Sequence, residues 1–77
     1  MKEAVENIVL ALADEKEAVE VSDYEDGNTT VIEVRVAESD MGRLIGRQGR
    51  TVKAIRSLLF FAGQKYKRRF NLQILED

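Results

Sequence analysis

Val5, Ile8, Val9 and Leu12 fall at i, i+3, i+4 and i+7, with Glu3 before them and Glu6 and Asn7 among them. That spacing predicts a helix over 2–13 with the three polar residues turned outward and an apolar stripe in need of cover. The period then drops to two. Val19 and Val21 alternate with Glu20 and Ser22, Asp26-Gly27-Asn28 supplies a turn, and Ile32, Val34 and Val36 alternate with Glu33 and Arg35. Two antiparallel strands follow from that pattern. Residues 39–45 read as a short helix with Ser39 as N-cap and Met41, Leu44 and Ile45 as its apolar face. Val52, Ile55, Leu59, Ala62 and Tyr66 recur in steps of three and four, predicting a longer helix from about residue 50 to 64 whose end Gly63 loosens. Phe70, Leu72 and Ile74 alternate with Asn71 and Gln73 and close the chain as a strand. The expected order is α-β-β-α-α-β, a two-layer α+β domain over residues 1–77 with its helices on one face of a three-stranded sheet.

The long helix carries more apolar residues than one buried stripe requires. Ala54, Leu58 and Phe61 form a second row beside Ile55, Leu59 and Ala62, and Leu58-Leu59-Phe60-Phe61 faces nearly every direction. In so small a domain at least one of these side chains should stay exposed, and exposed apolar patches mark association surfaces. The competing expectation is a wide helix face wholly covered by the sheet and the first helix.

Composition narrows the chemistry. The 77 residues include no Cys and no His, so disulfides, thiol nucleophiles and imidazole ligands drop out. With 44% apolar and 34% charged residues the chain suits a folded globular domain, held largely by tertiary packing. No apolar run approaches the roughly 20 residues that span a bilayer, and the acidic start does not resemble a signal peptide, so a cytoplasmic protein is expected. The start at Met1 fits a complete small protein, with a domain excised from a larger one as the alternative.

The net charge of −2 conceals a polarity. Residues 1–40 carry Lys2, Lys16 and Arg35 against twelve acids and sum to −9. Residues 41–77 carry nine cations against Glu76 and Asp77 and sum to +7. The basic residues surround Gly46-Arg47-Gln48-Gly49, between the two central helices, which favours a polyanion site opposite an acidic side. A helix N-terminus offers unpaired N–H groups and a partial positive charge, and glycines let a phosphate chain approach it. Arg47 would add a charged donor and Gln48 a neutral one, while Arg43, Arg50 and Lys53 stand within a turn or so.

A lone Gly-x-x-Gly is equally a plain helix-to-helix turn; the surroundings give it meaning. Ile45 precedes the first glycine and Val52 stands three positions after the second. Taken with the order of elements, these residues resemble the KH family, whose loop clamps about four nucleotides of single-stranded nucleic acid. The resemblance covers the whole chain. The extra helix and strand precede the shared core, as in the type II bacterial arrangement, and the length is similar to that of the small single-KH proteins of the KhpA type. Gly46 and Gly49 match the loop glycines, Arg47 and Gln48 the variable pair, and Ile45 the preceding aliphatic. Val52 stands where isoleucine is usual.

The resemblance implies a groove for unpaired bases, with Ile45, Val52 and Ile32 flooring it or else packed in the core. It implies single-stranded RNA, or single-stranded DNA, as partner. It also implies self-association or pairing with a larger KH protein, RNA-chaperone or post-transcriptional work, and effects on cell-wall homeostasis and cell length. No cofactor, metal or small-molecule substrate is expected. An enzyme would need a nucleophile, a metal cluster or a poised acid–base pair, and none stands out. Arg50-Thr51 after Gly49 does not satisfy a nucleotide-binding P-loop. The rival is a protein-interaction module whose loop only joins two helices.

Overall fold

The structure is a computed structural model that describes residues 1–45 and 49–76. The elements are α1 (Lys2–Leu12), a 3₁₀ turn (Lys16–Ala18), β1 (Glu20–Asp26), β2 (Thr29–Val36), α2 (Glu38–Ile45), α3 (Arg50–Tyr66) and β3 (Arg69–Glu76). This is the expected α-β-β-α-α-β order. The sheet runs β1-β2-β3; β1 pairs antiparallel with β2 from Glu20↔Arg35 to Asp26↔Thr29, and β3 pairs parallel with β2 from Thr29↔Arg69 to Val36↔Glu76.

Strand alternation sorts the sheet into two faces. Val21, Ile32, Val34, Val36 and Leu72 lie on one of them and form a single cluster with Val5 and Val9 of α1, Leu44 of α2 and Val52, Ile55 and Leu59 of α3. The helices therefore cover that face, and the other carries mostly polar side chains such as Ser22, Glu33, Asn71 and Gln73. No helix among the described residues is long and apolar enough to cross a membrane.

Four details depart from the sequence reading. Leu12 is exposed and Ala13 is buried in its stead, because the chain leaves the helix there in extended conformation. Ser39 does not cap α2, which begins one residue earlier at Glu38; Ser39 sits exposed inside its first turn. Tyr66 lies outside the core, and α3 runs on to it rather than ending near Gln64. Gly63, expected to loosen the helix end, is buried and keeps the helical stripe of Val52, Ile55 and Leu59 going.

Gly63 explains how α3 turns into β3. A Cβ built there would collide with the Arg68 carbonyl and stand 3.7 Å from the Phe70 ring. The returning chain presses against the bare Cα, and the Gly63 carbonyl accepts hydrogen bonds from the N–H groups of Lys67 and Arg68, the latter at 2.9 Å. Lys67 takes the left-handed conformation (φ 58°) that ends the helix, a position more often held by glycine. The glycine is spent on the close approach instead.

Candidate functional site

α3 opens on Gly49, whose φ of 70° and ψ of 24° lie in the left-handed region that side-chain-bearing residues seldom enter. The N-cap residue, Gly49, has no side chain with which to cap this helix start, and no acidic residue stands in its first turn. Its N–H groups are therefore not occupied by an N-cap side chain, and Arg50 and Lys53 are exposed in and just after the first turn. Gly46, Arg47 and Gln48, the rest of the expected phosphate loop, lie outside the described residues.

Arg43, in the last turn of α2, pairs with Asp14 at 2.8 Å, both side chains exposed. The pairing follows from an anchor that sequence reasoning missed. Asp40 is 2% exposed, and its two carboxylate oxygens accept the backbone N–H of Asp14 at 3.0 Å and of Glu15 at 2.8 Å. These two bonds, aided by the charges of Arg43 and Lys16, hold its carboxyl below the ordinary carboxylate range, against the upward push of burial. The segment after α1 is thereby tied to the start of α2. Lys16 reinforces it by donating to the carbonyls of Leu10 and Ala13 at the end of α1. The twelve N-terminal acids read as solvated surface, so nothing in the pattern singled Asp40 out.

The three aliphatic candidates separate. Ile45 is 41% exposed and next to the loop. Val52 is 7% exposed and packs in the core cluster from the first turn of α3. Ile32 is 0% exposed in the middle of β2. Of the two expectations for Ile32, groove floor or core, its burial fits the core: a central-strand residue covered by helices has no surface to offer a base.

α3 presents three faces. Val52, Ile55, Leu59 and Gly63 point into the core. Ala54, Leu58 and Phe61 form the second row, with Leu58 54% and Phe61 68% exposed, so the expectation that part of this row stays uncovered holds. The third face carries Lys53, Arg56, Phe60 and Gln64, all exposed. Its helical spacing is present in the sequence, but its mixture of charged, aromatic and amide side chains forms no apolar row.

At the far end of α3, Arg68 donates to Glu25 at 2.7 Å and to the Thr30 hydroxyl at 3.0 Å. The bond and charge of Arg68 pull the Glu25 carboxyl below its ordinary range, though an exposed pair of this kind adds little stability.

Comparison with known proteins agrees with this geometry. The family model described as KhpA/KhpB, KH domain, matches residues 2–74. An RNA-binding protein KhpA from Halalkalibacterium halodurans is 47% identical over 76 residues, which cover 99% of this chain and 100% of that protein. The protein of the same name from Borreliella burgdorferi is 42% identical, with 96% of this chain and 90% of the relative covered. The one from Aquifex aeolicus is 41% identical, with 99% and 96% covered. Among solved structures, Aquifex aeolicus Era bound to GDP.AlF4- superposes with a TM-score of 0.58 at 20% identity. It covers 97% of this chain, which spans 29% of that one, so the likeness concerns the fold alone.

Proposed function

The chain belongs to the KhpA/KhpB family of KH domains, and from that premise we propose that it binds single-stranded RNA as a non-enzymatic protein, gripping about four nucleotides at residues 46–49. The observation that carries this reading is the entrance to α3: a left-handed Gly49, itself without a capping side chain, leading into a helix start flanked by exposed Arg50 and Lys53. Such a terminus attracts the negative charge of phosphate, so contact with the sugar-phosphate backbone dominates affinity. Gly46, Arg47, Gln48 and Gly49 are the proposed clamp, with Arg43 drawn from Asp14 toward the ligand and Ile45 and the edge of Val52 beneath the first base. Single-stranded DNA offers the same phosphates, and the 2′-hydroxyl decides between the two.

The test is a fluorescence anisotropy titration with unstructured RNA. Arg47→Asp combined with Gln48→Asp abolishes binding and leaves circular dichroism and melting temperature nearly unchanged. Affinity equal to wild type removes the clamp and leaves a plain helix-to-helix turn.

The exposed row of Leu58 and Phe61 supports a second part of the reading, association with another copy or with a larger KH-containing protein through α3. A single clamp of four nucleotides binds weakly, and two linked clamps gain avidity, which suits RNA-chaperone or post-transcriptional work. Roles in cell-wall homeostasis and cell length rest on family membership alone. Depletion of the protein followed by cell-length measurement tests them.

A further inference from the structure

Asp40 and Arg43 stand three residues apart on α2, so they are neighbours on one side of that helix, and both reach the segment that follows α1. The Asp40 carboxylate fixes the backbone of that segment, accepting the N–H of Asp14 at 3.0 Å and of Glu15 at 2.8 Å. The Arg43 guanidinium takes the side chain, meeting the Asp14 carboxylate at 2.8 Å. One turn of α2 thus holds Asp14 at two points. Lys16 closes the same segment onto the Leu10 and Ala13 carbonyls.

Arg43 stands two residues before the end of α2, roughly 3 Å along the axis at 1.5 Å per residue, and so beside residues 46–49. Of the three cations flanking the clamp, Arg50 and Lys53 form no ion pair among the described residues, whereas Arg43 is engaged. A phosphate and a carboxylate fit the same fork of guanidinium N–H groups, so the two anions compete for it. The pair is weak enough to be exchanged, because its side chains are 59% and 64% exposed and salt screens them. It is also better prepared than an ordinary surface pair. Such pairs lose stability to the ordering of both partners, and here the buried Asp40 has already ordered the backbone of one.

We propose that Asp14 is a built-in competitor of the RNA backbone: its carboxylate occupies Arg43 in the free protein, and a phosphate displaces it on binding. The proposal rests on the clamp reading above. It makes the segment after α1, some thirty residues before the loop in the chain, an element that limits affinity for RNA. Asp40 holds Asp14 by its backbone N–H, so the displaced carboxylate stays close and recaptures Arg43 as the RNA leaves. An uncharged side chain at position 14 would free Arg43 for phosphate and leave the anchor intact.

The experiment titrates a labelled twelve-nucleotide unstructured RNA in fluorescence anisotropy at one fixed salt concentration. Asp14→Asn is expected to tighten binding about two- to five-fold, the range that an exposed ion pair represents. Arg43→Gln is expected to weaken it, and adding Asp14→Asn to Arg43→Gln should change nothing further. Glu17→Gln is the control for charge alone: it removes one negative charge from an exposed residue of the same segment that forms no ion pair among the described residues, and should leave affinity nearly unchanged. Asp14→Asn affinity equal to wild type overturns the competition. Equal tightening with Gln at position 43, or equal tightening by Glu17→Gln, overturns it too, since either would be a diffuse charge effect. The clamp variant Arg47→Asp with Gln48→Asp separates the two claims. If it binds like wild type the clamp reading falls, and an Asp14→Asn gain that requires Arg43 would still establish the competition.

Discussion

Replacing Gly63 by alanine should destabilise the protein, although the same change elsewhere in a helix stabilises. Within α3 the substitution gains about 1 kcal/mol of helix propensity. Against this, the new methyl meets the Arg68 carbonyl, a backbone atom that cannot swing aside as a side-chain tip would. Overpacking of this kind costs roughly 1–3 kcal/mol. The chain from Lys67 onward would have to move outward, weakening the hydrogen bonds that the Gly63 carbonyl accepts from Lys67 and Arg68. Each such bond is worth about 1 kcal/mol net. The balance is a loss of about 1–3 kcal/mol, which for a domain of this size lowers the melting temperature by roughly 4–8 °C per kcal/mol.

Gly42 provides the internal control. It lies exposed within α2, and a Cβ there meets nothing within 4 Å. Gly42→Ala should therefore raise stability by about 0.5–1 kcal/mol. Far-UV circular dichroism melts of both variants at one fixed protein concentration read the two signs together, the concentration being held because association also shifts melting. A Gly63→Ala protein that melts at or above wild type while Gly42→Ala melts higher would refute the argument, since the α3–β3 junction would then have room for a methyl.

The Asp40 anchor predicts a pH effect of definite sign. Its carboxyl titrates below the ordinary range in the folded chain, so its stabilisation is complete above about pH 4 and is lost as pH falls further through the folded value. Asp40→Asn should melt lower than wild type at neutral pH, and the gap should close in acid; a constant gap would show that the charge is irrelevant. For the α3 row, Phe61→Asp should shift sedimentation equilibrium toward monomer at high concentration without lowering the melting temperature of the monomer, because Phe61 is exposed. An all-monomer wild type, unchanged by the substitution, counts against association through α3.

What the sequence disclosed and what it hid divide along physical lines. The order of elements was legible because each segment keeps one period: Val5 and Val9 at helical spacing, Ile32, Val34 and Val36 at strand spacing, Val52, Ile55 and Leu59 at helical spacing again. The exposed row of Leu58 and Phe61 was legible for a similar reason, an excess of apolar residues over what one stripe can bury. Three features were not legible, since each depends on contacts between residues far apart in the chain. Asp40 caps N–H groups some 25 residues away. Gly63 is fixed by the path of the chain after the helix, and a glycine near a helix end ordinarily suggests a stop. Ile32 stands on a strand whose alternation assigns it a face but does not say which layer lies over that face.

Those distinctions bear on how α3 can serve several ends. Its core face fixes it to the sheet, leaving two other faces whose substitutions need not disturb folding. One is apolar, the face proposed above for association; the other is basic with a single exposed ring. Because the two differ by about a third of a turn, association through Leu58 and Phe61 need not cover Arg56, Phe60 or Gln64. A dimer joined along α3 would then display two basic flanks on one body. An RNA long enough to contact both would gain from effective concentration rather than from any new contact. Phe61→Asp should consequently weaken a long RNA while leaving a tetranucleotide untouched. Disrupting association removes contacts from a second protomer and should lower the slope of log affinity against log salt only at protein concentrations where wild type is dimeric. A Phe61→Asp loss independent of protein concentration would break the link between the two faces.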